Sequence, residues 1–243
     1  MTAERIVQLR PYPNFKLHAL PENERDEAGS IRVNIGSLHS RAKSFWAGKM
    51  LFQDCAERQL FDFTNQAVYR EWQLCAARDC VMSIYHFGRI LEGIDESLGS
   101  CPTLISTIDG SAKREARKFF EQKFPAYITL RNAISHSAER SKTVRDGHRH
   151  GKVTSRTVEV NPVISIRVSE DARVLLVHDN VWGSTFTSMW NGKLARCEIN
   201  DQTGIWLDEI VDAYWDAFDR IIDPNPEPQP EIIVTPKPSP NLG

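Results

Sequence analysis

The run Thr129-Leu130-Arg131-Asn132-Ala133-Ile134-Ser135-His136-Ser137-Ala138-Glu139 sets a guanidinium, an amide, an imidazole and a carboxylate close together in sequence. Arginine offers a fixed fork of donors that matches phosphate oxygens, and histidine is the side chain whose ordinary pKa lies nearest neutrality. The chemistry this suggests is phosphate binding joined to proton transfer. Geometry limits how the groups act. On an ideal helix each residue turns by about 100°, so Arg131 and His136 point about 140° apart while Asn132 and His136 share a face. Tyr127, Leu130, Ile134 and Ala138 form the expected core stripe. Arg131 then flanks that stripe, and Asn132, His136 and Glu139 point away from it. His136 is expected to be accessible.

The run resembles the R-x4-6-H motif, often written R-N-x-x-x-H, of the HEPN helical domains. Many of these are metal-independent ribonucleases. Ala76-Ala77-Arg78-Asp79 through Tyr85-His86-Phe87 similarly resembles the preceding long helix of bacterial proteins of this kind. The resemblance assigns catalytic roles to Arg131, Asn132 and His136, and it implies a twofold dimer in which both copies of the motif face one cleft. RNA would be cleaved by its own 2′-hydroxyl, with His136 moving protons, Arg131 stabilising charge on phosphorus and Asn132 orienting His136 or a phosphate oxygen. No metal or other cofactor is implied. The class brings bacterial defence or toxin systems with it, and a cognate antitoxin as a further partner. Against this stands a different reading, in which His136 is a solvated surface histidine and Arg131 snorkels over the core edge. The chain would then be a non-catalytic helical interaction module that keeps the motif for structure or nucleotide binding.

Asp79, Ser83 and His86 form a supporting set at i, i+4 and i+7 on an otherwise apolar helix. Turned toward the motif helix, Asp79 would reach Arg131 or Asn132. A buried ion pair or a core histidine holding helix register is the competing reading. Arg140, Lys142, Arg145, Arg149 and Lys152 line a basic stretch that could follow a nucleic-acid backbone or simply be a solvated loop. His148 and His150 alone make a weak metal pair. Trp182 and Trp190 would stack bases if exposed and pack the sheet if not.

These groups must be held by elements that the spacing of apolar residues predicts. Residues 1–34, with Pro11, Pro13, Pro21 and a charged run, read as an extended segment draped over the body. Residues 35–140 read as a helical bundle, with helices over about 37–60 and 65–98, a third through Ala112, Ala116, Phe119 and Phe120 that Phe124-Pro125 interrupts, and a fourth over about 126–140. Asp109 is the expected cap of the third and Pro125 sits at the start of the fourth. A basic loop at 141–155 leads to a β-meander over 156–200, closed by the hairpin turn Asn191-Gly192. Residues 203–222 return as the last bundle helix, and seven prolines from Pro224 to Pro240 make 223–243 a disordered tail. The fold class is α+β: mainly an α-helical bundle, with a small antiparallel meander inserted before its final helix.

Bulk properties restrict function further. A formal charge of -2 excludes binding of nucleic acid through a global positive field, so contact must use a local patch. No apolar run approaches a membrane span, and the start lacks a signal-peptide core, so a cytoplasmic protein without membrane contact is expected. The five cysteines lack metal spacing and read as thiols, with Cys75 and Cys80 in the core.

Overall fold

A computed structural model describes residues 13–136, 157–159, 165–167, 179–191 and 193–223. Among the described residues six α-helices are found: α1 (Glu22–Phe61), α2 (Gln66–Leu98), α3 (Pro102–Thr107), α4 (Gly110–Lys123), α5 (Tyr127–Ser135) and α6 (Asp201–Ala217). The strands are β1 (Thr157–Glu159), β2 (Ser165–Arg167), β3 (Asn180–Trp182), β4 (Thr185–Trp190) and β5 (Lys193–Glu198). The chain is α+β, mostly helical, with a three-stranded antiparallel sheet before its last helix.

Helices α1 and α2 form a long antiparallel hairpin. Buried positions on α1 alternate steps of three and four through Ala28, Ile31, Ile35, Leu38, Ala42, Phe45, Lys49 and Phe52. On α2 the same rhythm runs through Gln73, Ala77, Cys80, Ile84, Phe87, Leu91, Ile94 and Leu98. A sustained seven-residue repeat keeps one seam of each helix facing the other, as in a coiled coil. Lys49 interrupts the apolar seam and is neutralised by Asp201 of α6.

Helix α1 begins at Glu22, well before the start expected near residue 37, so residues 22–34 are helix and not extended chain. Pro21 fixes the entry, and Glu22 and Glu24 stand in the first turn, where the helix dipole favours negative charge. Glu24 is buried and accepts hydrogen bonds from the amides of Thr103 and Leu104 at 3.1 and 3.2 Å. Burial pushes its carboxyl pKa up, but those bonds more than offset this and leave it lowered. The short α3, absent from the sequence reading, is capped by this distant glutamate. Ahead of α1, Phe15 stacks on Phe218 at 5.7 Å, and Lys16 N–H donates to the Ile221 carbonyl.

Asp109 caps α4 as expected, accepting from the amides of Ser111 and Ala112. Helix α6 packs on α4 and α1, with Leu207, Ile210 and Tyr214 buried. Its residue Gly204 lies so close to Trp46 that a methyl group there would stand 2.4 Å from the indole ring. In the sheet, β3, β4 and β5 pair in sequence order, with Phe186 opposite both Val181 and Cys197. Asn191 at φ 50° makes the turn between β4 and β5, a conformation asparagine tolerates. Strands β1 and β2 pair separately, Thr157 with Arg167. Residues 168–178 of the expected meander and the Pro-rich tail from residue 224 lie outside the described residues.

Arg78 Nε donates to Asp179 Oδ2 at 2.9 Å, and Ser188 Oγ donates to Asp179 Oδ1 at 2.5 Å, tying α2 to the sheet. Arg78 thus pairs across the fold, whereas Arg89 pairs locally with Glu92. The five cysteines are free thiols. Cys80 is in the core as expected, but Cys75 is exposed, because the α2 seam passes through Gln73 and Ala77 on either side of it. Among the described residues no helix is long and apolar enough to cross a membrane.

Candidate functional site

Helix α5 buries Tyr127, Leu130 and Ala133 against α2 and the sheet. Arg131, next to Leu130, lies half-buried on the rim of that contact. Its guanidinium stands 5.4 Å from the centre of the Tyr85 ring. An aromatic face attracts a cation without accepting a strong hydrogen bond. Arg131 Nη1 donates to Asn132 Oδ1 at 3.2 Å, while Nε is sealed from solvent with no acceptor. Because arginine only donates, the Asn132 amide turns its oxygen inward and leaves its NH2 group to meet another acceptor.

His136 sits at the C-terminal cap of α5, where its N–H donates to the Asn132 carbonyl at 3.1 Å. The described helix therefore stops short of the end expected near Arg140. The imidazole stacks on Trp190 of β4, with ring centres 5.3 Å apart and planes inclined by 29°. It is half-buried, less open than expected. Leu130 is buried as expected, whereas Ile134 is only partly so and Ala133 takes the inner position. Arg131 turns to α2 and His136 to the sheet, in keeping with the wide angle between them on one helix. The two side chains share no hydrogen bond or ring contact.

The supporting set divides. Asp79 is exposed and lies along α1, its Oδ2 3.5 Å from where a methyl group on Gly48 would stand. It makes no ion pair with Arg131, contrary to expectation. A solvated carboxylate needs no partner, and this one belongs to the α1 side of the hairpin. Ser83 is sealed in the core. His86, one turn further on, is exposed and makes an edge contact with Tyr85. Partial burial of its ring, then the charges of Arg41 and Arg131, hold its pKa below the ordinary value. Glu139, Arg140, Lys142, Arg145, Arg149 and Lys152 lie outside the described residues.

The group that comes together is therefore Arg131, Asn132, Tyr85, His86 and Arg41. Nothing in the sequence singles out Arg41, and Tyr85 enters there only as part of the run resembling a long helix, without a site role. The only available signal for Arg41 was hairpin register: the facing pairs Asn34 with Gly93, Arg41 with His86, and Gly48 with Asp79 recur every seven residues on both helices. Among the described residues no carboxylate pairs with Arg41 or Arg131, and no group of three or more His, Cys, Asp or Glu side chains could hold a metal ion. Two nearby cations with no anion of their own, beside an imidazole held toward neutrality, suit a phosphate better than a cation. Comparison with models of known protein families, with curated proteins and with solved structures finds no match.

Proposed function

We propose that this chain binds RNA phosphates through Arg131 and its neighbours, and that it acts as a metal-independent endoribonuclease when two motif helices meet across a twofold axis. The observation that carries the reading is the state of Arg131: half-buried, braced on an aromatic face, with an Nε that has no acceptor and no carboxylate paired to it. A buried donor without an acceptor costs on the order of 1–3 kcal/mol, a cost removed if the guanidinium swings out to meet a phosphate oxygen. The motif's resemblance to HEPN ribonucleases supplies the substrate class.

The proposed reaction has three parts. An imidazole takes the proton from the ribose 2′-oxygen as that oxygen attacks phosphorus. Arg131 and the Asn132 amide stabilise the added negative charge. A second imidazole protonates the departing 5′-oxygen, giving a 2′,3′-cyclic phosphate and a 5′-hydroxyl. Within one chain Arg131 and His136 face different neighbours, so a cleft using both draws them from two copies. The stacking of His136 on Trp190 favours the second reading, a non-catalytic module in which that histidine braces the sheet.

The test is incubation of single-stranded RNA with the purified chain in excess chelator, with analysis of product ends. The proposal expects cyclic-phosphate ends, and losses of at least 100-fold for Arg131→Gln and His136→Ala, in line with removal of a charge-stabilising or proton-transfer group. Retained cleavage in both variants overturns it. Binding without cleavage in the wild type, reduced in Arg131→Gln, selects the non-catalytic reading.

A further inference from the structure

On the hairpin face next to Arg131, α1 and α2 part to form a cleft of about 480 Å³, lined by Asn34, Ser37 and Arg41 from α1 and by His86 and Arg89 from α2. Its opening has a local cause. Gly93 brings no side chain to the wall, and Asn34 Nδ2 lies 3.5 Å from where one would begin. The polar groups are not equivalent. Arg89 is neutralised by Glu92, and the Ser37 hydroxyl donates to the Val33 carbonyl at 2.9 Å. Arg41 and Asn34 remain, and among the described residues neither side chain has a hydrogen-bond or ion-pair partner.

Their placement is regular. Asn34 and Arg41 are two helical turns apart, about 10 Å, on the side of α1 that faces Gly93 and His86. His86 lines the cleft with Arg41 and follows Tyr85, the ring that Arg131 lies over, so that both charges act on it. One cation in the cleft and another over the neighbouring ring make two points of positive charge and not one.

Resting on the function proposed above, we infer that the α1–α2 cleft is a second phosphate subsite, in which Arg41 and Asn34 hold the backbone of a single-stranded RNA one or more nucleotides away from the phosphate at Arg131. His86 bridges the two subsites. The substrate is thereby a polynucleotide whose sugar-phosphate chain crosses the hairpin, and not a mononucleotide. Arg41 and Asn34 are positioning groups, since each touches a phosphate remote from the bond that breaks.

The test uses the full chain and a fluorescent octanucleotide of 2′-O-methyl RNA, which lacks the nucleophile and stays intact. Affinity is measured across a salt series for the wild type, Arg41→Gln, Arg41→Lys, Arg131→Gln and Arg70→Gln. Arg70 is exposed on α2 some 24 Å of helix from His86 and controls for loss of charge alone. Removing one phosphate contact from a single strand lowers the slope of log K against log salt by about 0.7, roughly a fourfold loss of affinity near physiological salt. Arg41→Gln is expected to show both changes, Arg41→Lys to recover part of them, and Arg70→Gln to match the wild type. If Arg131→Gln weakens binding but Arg41→Gln does not, the subsite is overturned and the proposed function stands. If neither matters, both fall. Equal losses for Arg70→Gln and Arg41→Gln also overturn the subsite, leaving only a diffuse charge effect. A further overturning result is that Arg41→Gln leaves octanucleotide binding intact yet abolishes the shift of the His86 resonances caused by inorganic phosphate, which would make the cleft a site for the free anion.

Discussion

Gly29 and Gly88 are both helix-interior glycines, and the same replacement by alanine is expected to act on them with opposite sign. Glycine in a helix interior costs about 1 kcal/mol relative to alanine, so each replacement starts from a gain of that size. At Gly29 on α1 nothing lies within 4 Å of an added methyl group, and the full gain of about 1 kcal/mol should appear. At Gly88 the same methyl would stand 2.7 Å from Tyr127 Cε2 and 3.0 Å from Phe120 Cε1 and Cζ. Carbon atoms prefer roughly 3.5–4.0 Å, so the rings must retreat by about 1 Å. Neither ring is free to do so. The Tyr127 hydroxyl donates to Glu92 Oε1 at 2.8 Å, and Phe120 is fully buried and stacked on Phe87 at 5.7 Å. Overpacking of this kind costs about 1–3 kcal/mol, and rings this constrained argue for the upper end, leaving a net loss of about 2 kcal/mol. Urea unfolding reads both values directly. For a chain of this size the melting temperature should rise by about 2–4 °C for Gly29→Ala and fall by about 4–8 °C for Gly88→Ala. Displacing Tyr127 also moves the start of α5, so Gly88→Ala should weaken RNA binding by more than its stability change explains. Equal stabilisation by both replacements would refute the reasoning, because it would mean that α2 and α5 separate at no cost.

Other outcomes follow from single contacts. Asn200 caps α6 by accepting from the Thr203 amide at 3.0 Å, and Asn200→Ala should cost about 1 kcal/mol in chemical unfolding. Asp179→Ala removes charged hydrogen bonds from Arg78 and Ser188 and should cost about 2–3 kcal/mol, with amide exchange speeding first in β3 and β4. NMR titration should place the His86 pKa below its ordinary value of 6.5 and show it rising in Arg41→Gln and in Arg131→Gln; no movement in either removes the cationic cluster. A depressed histidine pKa means that the unfolded chain takes up the proton first as pH falls. His86 therefore contributes its full stability above the unfolded value and loses it as pH drops toward the folded one, and His86→Gln should flatten stability against pH in that window.

Periodicity made α2 legible almost to the residue, because a long apolar stripe has one stable solution in water. The same signal lay in α1 from Ala28 through Ile35, but Pro21 and the acidic run ahead of it read as loop. Those acidic residues suit a helix start, and the buried Glu24 carboxylate is satisfied by amides of the distant α3. A six-residue helix stabilised from about eighty positions away has no local signature. At the site, helix arithmetic separated Arg131 from His136 correctly and put Asp79 and His86 on one face. It gave no information about which neighbour each would meet. Seven residues of separation, about 10 Å along α2, is enough to set Asp79 beside Gly48 and His86 beside Arg41. Which groups converge depended on hairpin register, which is fixed by packing between helices and not within either one.

The claim on which the functional account turns is that Arg131 and His136 act together only across two chains. Mixing His136→Ala with Arg131→Ala chains, each inactive alone, tests it. Random pairing makes about half of the dimers mixed, and each mixed dimer brings one intact Arg131 and one intact His136 to the shared cleft, so RNA cleavage in chelator should return in part, to less than about half of the wild-type rate because the second imidazole is missing. Absence of any recovery, with both variants folded and dimeric by light scattering, would contradict the account.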